Sequence, residues 1–170
     1  NSTGINKVEE KDGKIITHTD AGVFGSDEIL VATGRKIVLD SLHLDSAGIE
    51  YGKSGIKVNR RLETNVKGVY AVGDCNGKAL LSHAAMHQGM IALMNAINPT
   101  PIKQFNYDDF LVPWSVFTKP EIAQVGVTEK EAEEKGMDYQ VVKENYSDYG
   151  RTIADGKPEG FVKVITNSKG

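Results

Sequence analysis

The segment Gly68-Val69-Tyr70-Ala71-Val72-Gly73-Asp74 carries the strongest structural signal in this chain of 170 residues. Its apolar run, Val69–Val72, is short and ends in glycine, which predicts a strand buried on both faces. From about Ser82 to Ile97 the apolar period becomes helical, and Asn98-Pro99 ends it. The segment therefore predicts a buried strand, a glycine turn and a helix in direct succession.

A strand-turn-helix unit of this kind can hold a ligand at its turn. Gly73 lets a ligand approach the backbone closely, and the Asp74 carboxylate can accept hydrogen bonds from sugar-like hydroxyls. The start of the helix offers free N–H groups and a partial positive charge to a polarised oxygen. Strand-Gly-Asp turns are common, however, and the spacing alone leaves open that Asp74 merely caps a turn.

The region before this unit is rich in strand patterns. Lys11-Asp12-Gly13-Lys14 predicts a tight β-hairpin turn, and Asp20-Ala21-Gly22 predicts a second turn. Ile29-Leu30-Val31-Ala32 is a short apolar run that ends in Thr33-Gly34-Arg35. Like Val69–Val72, this run predicts a strand buried on both faces.

The region after the helix has the pattern of an α+β layer. Asn98–Gln104 contains two prolines and predicts a domain boundary. Thr128-Glu129-Lys130-Glu131 has the capping-box pattern and predicts a short helix that Gly136 closes. Strands are predicted at four further segments: Trp114–Phe117, Gln124–Val127, Tyr139–Tyr146 and Phe161–Thr166.

The predicted helix carries an apolar stripe at helical spacing, formed by Met86, Met90, Leu93 and Ile97. The methionines Met86, Met90 and Met94 could form an adaptable binding groove, but their helical spacing favours packing into the core. A glycine inside a helix costs about 1 kcal/mol relative to alanine, so Gly89 predicts a close contact with a neighbouring element.

Composition excludes several classes of protein. The net charge is −3 and no dense block of Lys and Arg occurs, so a nucleic-acid partner is not expected. The apolar runs are far shorter than the roughly 18 residues of a membrane span. The single cysteine, Cys75, predicts a reducing compartment, and we expect the cytoplasm. The missing initiator Met predicts that the chain is a piece of a longer protein.

The Gly68–Asp74 segment, followed by Leu80-Leu81-Ser82-His83-Ala84-Ala85 and Gln88-Gly89, resembles the second flavin-contacting segment of the FAD-dependent pyridine nucleotide-disulfide oxidoreductases. Within that family it is most similar to the dihydrolipoamide dehydrogenases. The resemblance implies that the Gly73-Asp74 pair binds FAD, with Asp74 at its ribityl chain. It also implies that the backbone of Leu80, Leu81, Ser82 and His83 faces the pyrimidine end of the flavin, where a helix N-terminus stabilises the charge of reduction.

Two further segments resemble the same family. Ile29–Arg35 is similar to the end of its nicotinamide-binding domain, which implies that Gly34 lies near NAD or NADP. Val112–Glu129 is similar to the start of its dimerisation domain, where Trp114 is either an interface residue or an ordinary core residue. The implied α/β architecture is the end of an NAD(P)-binding domain (1–35), the second segment of an FAD-binding domain (36–100) and an incomplete α+β dimerisation domain (101–170).

The resemblance implies a homodimeric oxidoreductase that passes electrons between NAD(P)(H), FAD and a dithiol or disulfide substrate such as a lipoyl group. The chain holds no GxGxxG fingerprint, no CxxxxC pair and no C-terminal His-Glu pair, so no catalytic residue is assigned within it. Lys36-Ile37-Val38 replaces the usual Pro-Asn pair, and Gln88 stands where Glu is common. A mercuric or glutathione reductase-like enzyme, or a non-catalytic FAD half-site and dimerisation module, therefore stays open.

Two tempting features have simpler interpretations. Cys75 follows Asp74 directly, but without a second cysteine it is expected to be structural and not a redox thiol. His83 and His87 have the i, i+4 spacing of two metal ligands on a helix. No third ligand accompanies them in the sequence, so no metal site is expected.

Overall fold

The computed structural model describes residues 3–98 and 104–169 of a chain that mixes helices and strands. The chain divides into two compact units, Asn1–Lys36 and Ile37–Gly170. Most of the predicted domain boundary at Asn98–Gln104 lies outside the described residues. The three predicted domain segments, 1–35, 36–100 and 101–170, therefore stay predictions.

The first unit contains an antiparallel sheet of three strands, β1 (Ile5–Lys11), β2 (Lys14–Thr19) and β3 (Gly22–Ser26), in that order. Asp12 and Gly13 both have positive φ, 50° and 74°, as the two-residue turn of a tight hairpin requires. The hairpin that the sequence predicts at Lys11–Lys14 is confirmed.

The strand predicted at Ile29–Ala32 is wrong. No strand is assigned there, and the Leu30 and Val31 side chains are 92% and 72% exposed. A strand buried on both faces needs neighbours on both sides, and among the described residues no strand pairs with this segment. The apolar run alone therefore does not make a strand.

The second unit begins with single 3₁₀ turns at Asp40–Leu42 and Leu44–Ala47, followed by the short hairpin of β4 (Tyr51–Gly52) and β5 (Gly55–Ile56). One small core packs this region against Ala71, which lies two residues before the Gly73-Asp74 pair. It consists of four buried residues: Leu39, Leu44, Ile56 and Ala71.

The predicted buried strand Val69–Val72 is also absent as a regular strand. Tyr70 forms an isolated antiparallel bridge with Glu63, and the Ala71 N–H donates to the Leu62 carbonyl at 3.1 Å. Leu62 is fully buried and has a φ of 67°, which is rare for a residue with a large side chain. Because this pairing is short and one-sided, Val72 remains partly exposed.

Helix α1 (Ser82–Ile97) has the bounds that the sequence predicts, but not the predicted buried face. Its buried residues are Ala84, Gln88, Ile91 and Ala92. The stripe predicted to pack in the core is wrong: Met86 and Met90 are 71% and 60% exposed, and Leu93, Met94 and Ile97 are exposed as well. The helix is apolar on more than one face, so its period could not identify the core side.

The close contact predicted at Gly89 is wrong for the described part of the chain. A β-carbon built at Gly89 would have no atom of a neighbouring element within 4 Å. The buried face of α1 instead packs on a second core, which consists of Leu62, Ile91, Ala92 and Tyr107. A 3₁₀ turn at Tyr107–Asp109 supplies the tyrosine.

The rest of the unit contains β6 (Trp114–Val116), β7 (Ile122–Gln124), α2 (Glu129–Glu134), β8 (Gln140–Asn145), α3 (Gly150–Ala154) and β9 (Phe161–Thr166). Strands β6 and β7 pair antiparallel, as do β8 and β9. The predicted capping box is confirmed, because the Thr128 hydroxyl accepts from the Glu131 N–H while the Glu131 carboxylate accepts from the Thr128 N–H. The strand predicted at Gln124–Val127 is shifted, since β7 ends at Gln124.

Candidate functional site

The centre of the candidate site is a single 3₁₀ turn, Gly73–Asn76, that exposes the Asp74 residue. Gly73 is buried and has a φ of 79°, a conformation that strongly favours glycine. A β-carbon at Gly73 would lie 3.2 Å from the β-carbon of Ala85. Glycine therefore both permits the turn and lets it pack tightly against the first turns of α1.

Gln88 holds this turn from the helix side. Its Oε1 accepts a hydrogen bond from the Gly73 N–H at 2.7 Å and another from Asn76 Nδ2, also at 2.7 Å. Asn76 Nδ2 donates as well to the Ala71 carbonyl at 2.9 Å, and its Oδ1 accepts from the Lys78 N–H at 3.0 Å. The sequence pattern includes Gln88 in the segment that resembles the family, where it replaces a common Glu, but it does not predict this role.

The β4–β5 hairpin holds the turn from the other side. A β-carbon at Gly55 would lie 2.5 Å from the Cys75 carbonyl oxygen, and one at Gly77 would collide with the Ser54 carbonyl oxygen. Both glycines have positive φ, 112° and 69°. The two backbones therefore meet directly, and larger side chains at these positions would push the Asp74 turn out of place.

Helix α1 begins beside this turn, and its N-cap residue contributes no side-chain hydrogen bond. This residue, Leu81, has an extended conformation with φ −135° and ψ 134°. Leu80 and Leu81 are half-buried, whereas Ser82 and His83 are exposed. The first N–H groups of a helix carry partial positive charge, so this end suits a polarised or anionic oxygen.

His83 links the helix N-terminus to the segment before β6. Its Nε2 lies 2.7 Å from the Pro113 carbonyl oxygen. A carbonyl oxygen can only accept, so Nε2 carries the proton in this contact. Four residues further along the helix, the His87 ring stacks on Phe110 with ring centroids 3.8 Å apart. Both imidazoles are thus engaged with the 110–113 segment.

The structure brings together six of the seven residues predicted to bind cofactors: Gly73, Asp74, Leu80, Leu81, Ser82 and His83. They form the turn and the helix start that follows it. The seventh, Gly34, belongs to the first unit, where it is exposed and has a φ of 125°. A β-carbon at Gly34 would meet no atom within 4 Å.

Cys75 packs against the first small core and its Sγ donates to the Val72 carbonyl at 3.2 Å. Burial raises the pKa of the Cys75 thiol above that of an ordinary cysteine. A raised pKa leaves little thiolate at neutral pH, which supports the structural interpretation of this residue.

Across residues 3–98 and 104–169, no cluster of three or more His, Cys, Asp or Glu side chains has an arrangement that could hold a metal ion. Within the same residues, none of the helices combines the length and the apolar character needed to cross a membrane.

A turn built on a left-handed glycine, with an exposed aspartate in front of a helix start, can hold a ligand that carries sugar-like hydroxyls. Residues 1–89 match the family model described as pyridine nucleotide-disulphide oxidoreductase, and residues 112–170 match the model of its dimerisation domain. The chain belongs to the pyridine nucleotide-disulphide oxidoreductase family, which confirms the resemblance drawn from the sequence.

The curated relatives include many dihydrolipoyl dehydrogenases. One from Thermus scotoductus is 41% identical over 144 residues, covering 84% of this chain and 30% of that protein. One from Chlamydia pneumoniae is 34% identical over 164 residues, covering 96% of this chain and 35% of that protein. The chain spans about a third of the length of the curated relatives it matches.

The fold also matches solved structures. The HOCl-induced flavoprotein disulfide reductase RclA from Escherichia coli superposes with a TM-score of 0.84 at 27% identity, covering 98% of this chain and 38% of that one. LpdA from Mycobacterium tuberculosis gives a TM-score of 0.84 at 24% identity, covering 97% of this chain and 36% of that one. At that lower identity the likeness concerns the fold alone.

Proposed function

We propose that this chain supplies the second FAD-binding segment and part of the dimer interface of a flavoprotein disulfide reductase of the dihydrolipoyl dehydrogenase type. The observation that carries the proposal is the Gly73–Asn76 turn, which places the exposed Asp74 beside the N-terminus of α1. The Asp74 carboxylate would bind the hydroxyls of a ligand, and the helix N-terminus would bind a polarised ring edge of the same ligand.

The residues present fit FAD. Gly73 leaves no side chain between the turn and the helix, and the Asp74 carboxylate can accept hydrogen bonds from the ribityl hydroxyls. The N–H groups at Leu81, Ser82 and His83 would stabilise negative charge at the pyrimidine edge of the ring. When bound, a flavin accepts hydride from NAD(P)H and exchanges an electron pair with a disulfide.

The other parts of the proposal concern the whole enzyme. Gly34, with its left-handed backbone, would lie close to NAD or NADP. The match of residues 112–170 to a dimerisation domain supports a homodimer. The dihydrolipoyl dehydrogenases among the relatives support a lipoyl substrate, and the lone Cys75 supports a reducing compartment such as the cytoplasm.

Flavin binding tests the proposal directly. The complete polypeptide that contains this chain should purify with the visible absorbance of bound flavin, and Asp74→Asn should weaken flavin retention because an amide replaces the accepting carboxylate. Asp138→Asn removes an exposed charge outside the site and serves as the control. A colourless wild-type protein that does not take up added FAD would contradict the proposal.

The second candidate is a non-catalytic flavin half-site and dimerisation module. The observation that favours it is the single cysteine, since this chain cannot itself form a redox disulfide. NADH should bleach the flavin of the complete polypeptide, and lipoamide should restore the colour, if the chain belongs to a catalyst. Restoration by glutathione disulfide or by Hg(II) instead would identify one of the sister activities.

A further inference from the structure

The Gln88 side chain is fully buried and lies on the inner face of α1. Buried amides normally satisfy their hydrogen-bonding groups, and this one directs its oxygen at both ends of the Gly73–Asn76 turn. Its Nε2 has no hydrogen-bond partner among the described residues. The side chain therefore makes its bonds to the turn and to no other described element.

The orientation of the two amides follows from the donors around them. The Gly73 N–H can only donate, so the Gln88 atom that it meets must be the oxygen. The Ala71 carbonyl can only accept, so the Asn76 atom that it meets must be the nitrogen, and that nitrogen donates to Gln88 as well. Either amide, if flipped, would lose these bonds.

Gln88 thus forms a clamp with Gly73 and Asn76, the two residues at the ends of the turn that contains Asp74. One oxygen, Gln88 Oε1, fixes the first residue of the turn through its backbone and the last through its side chain. The direction in which the Asp74 side chain leaves the backbone depends on these two anchors, because only Asp74 and Cys75 lie between them. A neutral amide does this without burying a charge.

We propose that Gln88 is a positioning residue for the flavin: its side-chain oxygen sets the Gly73–Asn76 turn and thereby aims Asp74 at the ribityl chain. The inference rests on the proposed FAD site and deepens it. It predicts that flavin affinity depends on a side chain in the interior of the protein. Loss of the acceptor should raise the dissociation constant of FAD by at least about 10-fold, because the Gly73 N–H and one of the two N–H groups of Asn76 Nδ2 then lose their acceptor.

The test compares Gln88→Met with Ile91→Val in the complete polypeptide. Methionine keeps the volume of Gln88 but accepts no strong hydrogen bond, and Ile91 is a buried residue on the same helix face that makes no bond to the turn. For the apoprotein of each, the measurements are urea unfolding, hydrogen exchange at the Gly73 amide, and FAD titration. Both variants should lower the unfolding midpoint, but only Gln88→Met should speed Gly73 exchange and weaken FAD binding.

Two more variants make the test robust. Gln88→Glu keeps an oxygen at the clamp and should restore Gly73 protection and FAD affinity to within about 3-fold of wild type. Asn76→Ala opens the clamp from the turn side, so it replaces Gln88→Met if that variant does not fold, and should weaken FAD binding similarly.

Two results would overturn the proposal, and they are distinguishable. If Ile91→Val weakens FAD binding as much as Gln88→Met does, Gln88 contributes only stability. If the wild-type protein binds no FAD at all, the proposed function itself fails, whatever the exchange rate at Gly73.

Discussion

The His83 imidazole donates from Nε2 to the Pro113 carbonyl oxygen at 2.7 Å, although 30 residues separate the two along the chain. The bond joins the first turn of α1 to the residue just before β6, where the match to the dimerisation domain begins. His83, a residue of the proposed FAD site, therefore also holds the segment that leads into β6 and the proposed dimer interface.

Replacing His83 by alanine should make the segment around Pro113 more mobile. The Pro113 carbonyl would lose its donor, at a cost of about 1 kcal/mol, and amide exchange across Trp114–Val116 should accelerate. His83→Gln can place a donor near the Nε2 position and should restore part of the protection. Met86→Ala, at an exposed position of the same helix, is the control, and equal exchange in His83→Ala and wild type would refute the coupling.

Gly73→Ala should destabilise the fold more than an equivalent change at Gly48. Both glycines have left-handed backbones, with φ of 79° and 67°, so each pays about 1–2 kcal/mol for a β-carbon there. Only Gly73 adds a contact, with the Ala85 β-carbon at 3.2 Å. Urea unfolding measures both changes, and equal losses would mean that Ala85 moves aside without cost.

The capping box of α2 predicts a pH dependence. The hydrogen bond from the Thr128 N–H lowers the pKa of Glu131 in the folded protein. The ionised carboxylate therefore stabilises the fold above the pKa that Glu131 has in the unfolded chain. This stabilisation is lost as the pH falls through the pKa that Glu131 has in the folded protein. Unfolding free energies should therefore separate wild type from Glu131→Gln at neutral pH and converge in acid. The exposed Glu159→Gln should track wild type throughout, and a gap that persists in acid would contradict this account.

Thr128→Ala removes the other half of the same box and should cost about 1 kcal/mol. The Thr128 hydroxyl accepts from the Glu131 N–H and also donates to the Glu131 carboxylate at 2.9 Å, which lowers the pKa of Glu131. The part of the loss that depends on the carboxylate should disappear in acid, and the part that depends on the Glu131 N–H should remain. Urea unfolding at neutral and acidic pH measures the loss, and a loss that disappears in acid would show that the hydroxyl acts only through the carboxylate.

Cys75 should alkylate slowly in the folded protein. Burial raises the pKa of its thiol, so the rate with iodoacetamide should inflect at a higher pH than the rate of the same cysteine in urea-unfolded protein, which is the matched control. A rapid reaction at neutral pH in the folded state would instead favour a reactive thiol beside Asp74.

The sequence predicted the features that depend on local chemistry. The bounds of α1, the Asp12-Gly13 hairpin and the Thr128 capping box follow from caps, turns and periods that neighbouring residues define. The strand predicted at Ile29–Ala32 failed because a strand depends on partners distant along the chain.

The candidate site divides in the same way. The Gly73-Asp74 pair and the helix start are contiguous in sequence, so the motif located them together. The clamp from Gln88 joins residues 12 and 15 positions apart, and the Gly55 contact depends on a hairpin that meets the turn only after folding. No local sequence pattern predicts such contacts. The buried face of α1 is likewise determined by packing against distant residues.

The outward face of α1 has a chemical consequence. Met86 and Met90, which are 71% and 60% exposed, present their thioethers on this face, while the buried residues of the helix are Ala84, Gln88, Ile91 and Ala92. Mild peroxide would convert these thioethers to sulfoxides and leave the packing of the helix intact. The oxidation rates of these two methionines would therefore report whether another polypeptide covers this face of α1. The rates would fall when the face is covered and stay high when it is exposed.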